Sequence, residues 1–314
     1  MLSDNIKLIL APMAGFSDQP FRRLCREFGA DEVVTELISA NALVRDNKKT
    51  FDMIRLHEDE RPASVQIFGA DPAIMAEAAS RVEAANPEYI DINMGCPARK
   101  IVKNGAGAAL LENPKLAARI VKKVVDTVGT PVSVKIRTGK NAENKSGMET
   151  ALRAADCGAF RITVHARSVS GGFSGPIDFE FVRELKNSVQ AQIIGNGGIN
   201  SSRDALRWLE ECGCDGLMIG RGAIGRPSLF GAIRAGVEPP DTEEAETVLR
   251  HCEWMEEYYG PKRALGPMRG HLMYYSRGIS TARSFRREIN HAAGFDELKE
   301  TVRYNFKSNV ENIA

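Results

Sequence analysis

The sequence predicts an α/β chain, a (β/α)8 TIM barrel over residues 1–240 followed by an all-helical domain over residues 241–314. Three observations carry that expectation. Short β-branched runs alternate with longer amphipathic stretches almost to residue 240, the pattern of a parallel sheet joined by helices. Eight such runs fall within about 235 residues, the arithmetic of a closed eight-fold barrel. Beyond Pro239-Pro240 the strand-like runs stop and apolar residues recur at helical spacing. An open doubly wound sheet usually places a glycine-rich fingerprint after its first strand, whereas the first run here leads into Ala11-Pro12-Met13-Ala14-Gly15.

In chain order the expected strands are Lys7–Leu10, Glu32–Thr35, Ala63–Ile67, Tyr89–Asn93, Val132–Ile136, Arg161–His165, Gln192–Gly195 and Gly216–Ile219. The clearest helices are Ala73–Ala85, Pro114–Val128 and Ser201–Cys212. Asp71-Pro72, Asn113-Pro114 and Asn200-Ser201-Ser202 supply their capping and first-turn residues. In the C-terminal segment Met268, Leu272, Tyr275 and Ile279 form an apolar seam. Residues 241–257 hold seven acids and one base, Arg250, whereas residues 261–290 hold seven bases and one acid, Glu288.

Composition narrows the class. The 314 residues carry 42 basic and 41 acidic side chains and 43% hydrophobic residues, which excludes disordered, collagen-like and disulfide-dense chains. A net charge of +1 gives no global pull toward nucleic acid, though it leaves room for a local basic face. No apolar run approaches the roughly 20 residues of a membrane helix. Met1–Leu10 has no basic leader or small-residue cleavage site, so a signal peptide is not expected. The six cysteines lack a paired framework, and Cys212-Gly213-Cys214 is too tight for the usual zinc spacing. No metal is expected, and unpaired thiols suit a reducing cytoplasm.

In such a barrel function gathers at the carboxyl ends of the strands. Pro12-Met13-Ala14, Gln66, Asn93-Met94-Gly95-Cys96-Pro97, Lys135 with Arg137, His165 with Arg167, Asn196-Gly197-Gly198 and Gly220-Arg221-Gly222 all stand at those ends. A buried sheet has no packing reason to finish with polar groups on nearly every strand. Glycine-rich turns after strands seven and eight expose backbone N–H groups beside helix starts, a cradle for phosphate. A single such turn is equally well a tight corner; two on consecutive strands favour the cradle. Lys135 and His165 should project over one cavity, where an ammonium suits an anionic reduced flavin. A buried ion pair for Lys135 and a satisfied core histidine for His165 are the plain alternatives. Thiols ordinarily stay protonated near neutrality and can act as general acids, and Cys96 alone among the cysteines occupies a loop facing the cavity.

Taken together these motifs resemble the tRNA-dihydrouridine synthases. The resemblance rests on Ala11-Pro12-Met13-Ala14-Gly15 through Arg22, on Asn93-Met94-Gly95-Cys96-Pro97, and on Lys103-Asn104-Gly105-Ala106-Gly107-Ala108-Ala109-Leu110-Leu111. Val134-Lys135-Ile136-Arg137, Gly195-Asn196-Gly197-Gly198-Ile199 and Met218-Ile219-Gly220-Arg221-Gly222 extend it in order to about residue 230. It implies an FMN barrel, driven by NADPH or NADH, that reduces the C5–C6 double bond of a uridine in tRNA. Pro12, Met13 and Ala14 would line the isoalloxazine. Gln66 and Lys135 would bond it, with His165 nearby, and Asn196, Gly197, Gly198, Gly220 and Arg221 would hold the phosphate. Cys96 would be the proton donor, and Asn93 and Arg167 would meet the substrate. Where the family often reads Gly-Arg-Thr-Arg after the histidine, this chain has Ala166-Arg167-Ser168-Val169.

Two other readings bound this one. A dihydroorotate-dehydrogenase-like FMN barrel acting on a free pyrimidine would leave the appended helices without a task. A non-catalytic RNA-binding barrel would not need a lysine over the cavity or a phosphate cradle. Arg283, Arg286 and Arg287, at i, i+3 and i+4, should share one helix face for tRNA. The expected protein is a monomer.

Overall fold

The computed structural model describes residues 2, 3 and 5–311, with side chains described through Phe306. Nine strands form the sheet: β1 (Lys7–Leu10), β2 (Glu32–Val34), β3 (Ile38–Ser39), β4 (Ala63–Phe68), β5 (Ile90–Met94), β6 (Val132–Arg137), β7 (Arg161–His165), β8 (Gln192–Asn196) and β9 (Gly216–Ile219). Every pairing is parallel. β1 pairs with β9 on one side and β2 on the other, and β2 pairs with β4, so eight strands close into a ring. The eight expected strands are these eight, displaced by at most one residue at an end. β3 was not expected: two residues, Ile38 and Ser39, extend the carboxyl end of β4 through pairs with Ile67 and Phe68. A two-residue strand carries no periodicity to read.

Helices cover the outside of the ring. Asp71, Asn113 and Ser201 cap the helices Pro72–Glu83, Pro114–Val125 and Ser202–Cys212, each accepting from a first-turn amide. The second stops three residues before the expected Val128, and the third ends at Gly213, whose φ of 60° is the left-handed conformation a helix end favours. The strands themselves are almost wholly buried, as a sheet covered by helices requires.

The lumen is layered. At its amino end the Arg161 guanidinium pairs with Glu32 and lies 4.9 Å from the Tyr89 ring and 5.0 Å from that of Phe160. Ile9, Val34, Ile194 and Met218 fill the middle with Tyr89. Asp91, Gln66 and Ser133 make a buried polar layer above. Register does the rest. Asn93 pairs with Lys135, Arg137 with His165, and His165 with Asn196, so polar residues of four strands reach the carboxyl rim together.

Past residue 240 the helices Ala245–Tyr259, Pro261–Tyr275, Ala282–His291 and Phe295–Glu311 pack around a second core. Met268, Leu272, Tyr275 and Ile279 are buried in it as expected, although Ile279 stands beyond the helix end. Leu24, from the barrel helix Gln19–Glu27, belongs to this second core, so the first barrel helix is a shared wall. Among the described residues no helix is long and apolar enough to cross a membrane.

Candidate active site

Two adjoining cavities open at the carboxyl rim, of about 380 and 350 Å³. Met13, Lys135, His165, Phe173, Arg221 and Tyr274 belong to the walls of both. The first continues over Asn196, Gly197, Gly198 and Gly220; the second reaches Asn93 and Cys96. Pro12 lines both and Ala14 the second. Strand ends that are dispersed in sequence therefore converge on one hollow.

Lys135 is anchored by a hydrogen bond from its ammonium to Asn196 Oδ1 at 2.9 Å, and the Asn196 amide donates in turn to the Met218 carbonyl at 2.7 Å. Burial draws the Lys135 pKa down to about 8, Asp91 pushes it back up, and Arg137 adds to the lowering. The expected alternative, an ion pair, is not what holds it. Asp91 instead accepts from Gln66 and Ser133. His165 is held near a pKa of about 2 by burial first and then by Lys135, Arg137, Arg167 and Arg221, so its ring is neutral at physiological pH. Among the described residues no acidic side chain lines either cavity, while Lys135, Arg137, Arg167, Arg221 and Arg277 do. Such a site favours an anion.

The glycine turns are shaped for one. Gly197 and Gly198 have φ of +131° and +65°, and the Arg167 guanidinium stands over them. A Cβ on Gly197 would lie 3.1 Å from Arg167 Nη1, and one on Gly198 would lie 3.3 Å from Nη2. Arg167 donates through Nε to the Gly175 carbonyl at 2.6 Å, while its Nη1 is buried without a hydrogen-bond partner. An orphaned guanidinium nitrogen over bare glycine backbone fits a phosphate oxygen. Arg167, expected to meet the substrate, thus stands at the glycine cradle and lines the first cavity and not the second.

The thiol end is built from the loop after β5. Asn93 Oδ1 accepts from the amides of Gly95 at 3.2 Å and Cys96 at 3.0 Å, folding the loop so that the half-buried thiol faces the second cavity. The Asn93 amide donates to Gln66 Oε1 at 2.8 Å, and Gln66 Nε2 donates to Asp91 at 2.6 Å. Gln66 is fully buried and engaged on both sides, by Asn93 and by Asp91. Its side chain is committed to positioning Asn93. All six cysteines are free, and Cys25, Cys212, Cys214 and Cys252 are buried.

Arg137, expected at the rim, ties the loops together by donating to the carbonyls of Gly95, Ser168 and Gly172. Other cavity residues escaped the sequence reading. Phe173 projects between the cavities, 6.0 Å from the His165 ring and 4.4 Å from the Arg221 guanidinium, although it lies in a Gly-rich loop without periodicity. Tyr274 and Arg277 come from the helical segment, and the Arg277 guanidinium lies 4.3 Å above the Tyr274 ring. Nothing local in their sequence marks them, since the strand rhythm ends near residue 240. Arg283, Arg286 and Arg287 share one helix and belong to neither cavity lining. Arg283 and Arg287 are exposed, whereas Arg286 is half-buried and donates to Ser276 Oγ at 2.7 Å.

A tRNA-dihydrouridine synthase B of Pseudomonas aeruginosa is 38% identical over 314 residues, covering 98% of this chain and 94% of that one. The synthase B of Vibrio vulnificus is 40% identical, covering 90% of each chain, and a probable tRNA-dihydrouridine synthase of Rickettsia conorii is 37% identical over 92% of this chain and 89% of its own. The barrel is shared with an old yellow enzyme homologue from Zymomonas mobilis at a TM-score of 0.56, with 12% identity over 77% of this chain and 91% of that one. A histamine dehydrogenase from Rhizobium gives 0.58 with 13% identity, over 79% of this chain and 48% of that one. The family model described as dihydrouridine synthase matches residues 9–311, and the chain belongs to that family.

Proposed function

We propose that this protein is an FMN-dependent tRNA-dihydrouridine synthase that uses NADPH, or NADH, to reduce the C5–C6 double bond of a uridine in tRNA. The observation that carries the reading is the shared wall. A basic, glycine-floored cavity with an orphaned Arg167 nitrogen adjoins a second cavity that ends on the Cys96 thiol. Gly197, Gly198, Gly220, Arg167 and Arg221 would hold the phosphate, and Pro12, Met13 and Ala14 would flank the ring system, with Lys135 and His165 beside it. Reduced flavin supplies the hydride equivalent for C6 of the uracil.

The chain's own residues do the remainder. Lys135 places a positive charge in the wall common to both cavities, and neutral His165 can donate one hydrogen bond without adding charge. Cys96 delivers a proton to C5, where negative charge develops, as a general acid held by Asn93. A uracil cannot reach such a hollow from within a helix, so the target nucleotide must leave its stack. We assign residues 1–240 to catalysis and residues 241–314 to holding the RNA, with Arg283 and Arg287 offered to phosphates. Tyr274 and Arg277 bring that helical segment to the cavity rim. The free-pyrimidine alternative leaves these contributions without a role.

The test is direct. Purified protein should carry about one non-covalent FMN per chain, and dihydrouridine should appear in unmodified tRNA on addition of NADPH. Flavin-loaded protein that reduces a free pyrimidine but leaves tRNA unchanged would support the alternative instead.

A further inference from the structure

Away from the cavities, three metal-ligating side chains meet where the barrel joins the helical segment. Asp18 caps the Gln19–Glu27 helix, His251 lies on the Ala245–Tyr259 helix, and His271 lies on the Pro261–Tyr275 helix. One ligand atom from each lies within 4.8 Å of the others. Both imidazoles are 0% exposed and Asp18 is 3% exposed.

Their hydrogen bonding is incomplete in a particular way. Asp18 accepts from the Phe21 amide at 3.2 Å and from the Tyr259 hydroxyl at 3.1 Å, which leaves lone pairs on a carboxylate that offers about four. His251 Nδ1 lies 3.1 Å from the Tyr275 hydroxyl, while its Nε2 is buried without a partner. His271 has neither ring nitrogen partnered. The surrounding walls offer no replacement. Phe16 and Phe21 pack on His271 with centroids 5.3 and 5.0 Å away, Phe21 stacks on His251 at 5.6 Å, and the two imidazoles are 4.5 Å apart. Three orphaned imidazole nitrogens enclosed with a carboxylate form a buried polar cluster whose bonding capacity the chain itself leaves unfilled.

We propose that Asp18, His251 and His271 bind one divalent transition-metal ion, zinc in the first instance, which clips the first barrel helix to two helices of the C-terminal segment. Two imidazole nitrogens and one carboxylate oxygen are a donor set zinc accepts, with water at the fourth position. Tetrahedral zinc needs ligand atoms about 3.3 Å apart, so the three must draw in by at most about 1.5 Å, a movement that turning the two imidazoles supplies. The Tyr275 hydroxyl on Nδ1 orients His251 through its other nitrogen, the usual arrangement around a ligating histidine. Nothing in the linear sequence marks the cluster, because Asp18 lies more than 230 residues from either histidine and the three lack any ligand spacing. The assignment stands independently of the reaction at the cavities. Phe16 connects the two regions: it lines the Cys96 cavity and packs on His271.

The experiment measures metal and flavin together in the full-length protein as purified, and again after incubation with ZnCl2 and gel filtration. About one zinc per chain is expected in the wild type, with less than about a tenth remaining in His271→Ala and in Asp18→Asn. Asp18→Asn retains an oxygen for the Phe21 amide, so the helix cap and the fold should survive, and unchanged flavin content would verify that. Cobalt(II) added to chelator-treated wild type should give visible ligand-field bands that both variants lack, and zinc should raise the thermal midpoint of the wild type alone. Wild-type protein that takes up no zinc or cobalt and shows no zinc-dependent midpoint would overturn the site and leave it holding water only. Equal uptake by wild type and both variants would overturn it as well.

Discussion

The Lys135 ammonium donates to the side-chain carbonyl of Asn196 at 2.9 Å, although β7 stands between their strands. Alternate strands of a closed barrel point into the same layer, which is how β6 and β8 come to share a contact. The Asn196 amide is spent on the Met218 carbonyl, so its oxygen is aimed at the lysine. Asn196→Ala should free the ammonium and weaken FMN binding by about 10-fold or more, the worth of a hydrogen bond to a charged group. Fluorescence titration of the flavin-free protein measures it; an unchanged affinity would place the flavin elsewhere.

Burial of Lys135 has a stability signature. Its pKa falls to about 8 in the folded chain from an ordinary 10.5, with desolvation the largest cause. The unfolded chain therefore binds more protons between those values, and this site's contribution to stability rises with pH across that window. Lys135→Met should stabilise the flavin-free protein at pH 7 by roughly 1–3 kcal/mol, and the advantage should shrink from pH 8 to 10.5. Urea midpoints at several pH values decide it. A difference that is constant with pH would show that the lysine is not desolvated.

At the glycine turn, Gly197→Ala would place a methyl 3.1 Å from Arg167 Nη1 and 3.2 Å from His165 Cδ2, in a backbone conformation with φ of +131°. Flavin should be lost while circular dichroism is retained. Arg167→Ala should lose flavin as well, by 10-fold or more in affinity, since a guanidinium–phosphate contact is charge-assisted. Retention of flavin by Arg167→Ala with weakened tRNA binding would return this arginine to the substrate side.

Cys96→Ala should keep the flavin and its reduction by NADPH yet slow uridine reduction about 10²- to 10⁴-fold, the range of a lost general acid. Stopped-flow measurement of the two half-reactions separates them. Cys157→Ala, at a half-buried thiol outside both cavity linings, is the control.

On the helical segment, Arg283 and Arg287 are exposed while Arg286 donates to Ser276. The double replacement by Ala should weaken tRNA binding and flatten its dependence on salt, because fewer counterions are released. Arg286→Ala should instead lower the thermal midpoint by an amount equivalent to about 1 kcal/mol. Equal salt slopes for the double variant and the wild type would make this face ordinary solvated surface.

The barrel was legible in the sequence because each strand and its cap are local. Eight β-branched runs, with Asp71, Asn113 and Ser201 ahead of their helices, state their own conformation within a few residues. The rim residues were legible for the same reason, since a strand's carboxyl end is a position in the chain as well as in space. What each rim residue touches is not local. Gln66, expected at the flavin, joins Asn93 to Asp91, and Arg167, expected to meet the substrate, stands by Gly197. Tyr274 reaches a cavity whose other walls begin at Ala11, and Asp18 meets His251 and His271. Those contacts depend on strand register, on the lean of a loop and on the docking of one core against another. They bring together side chains more than 260 residues apart, such as Met13 and Tyr274, and only the packed molecule determines them.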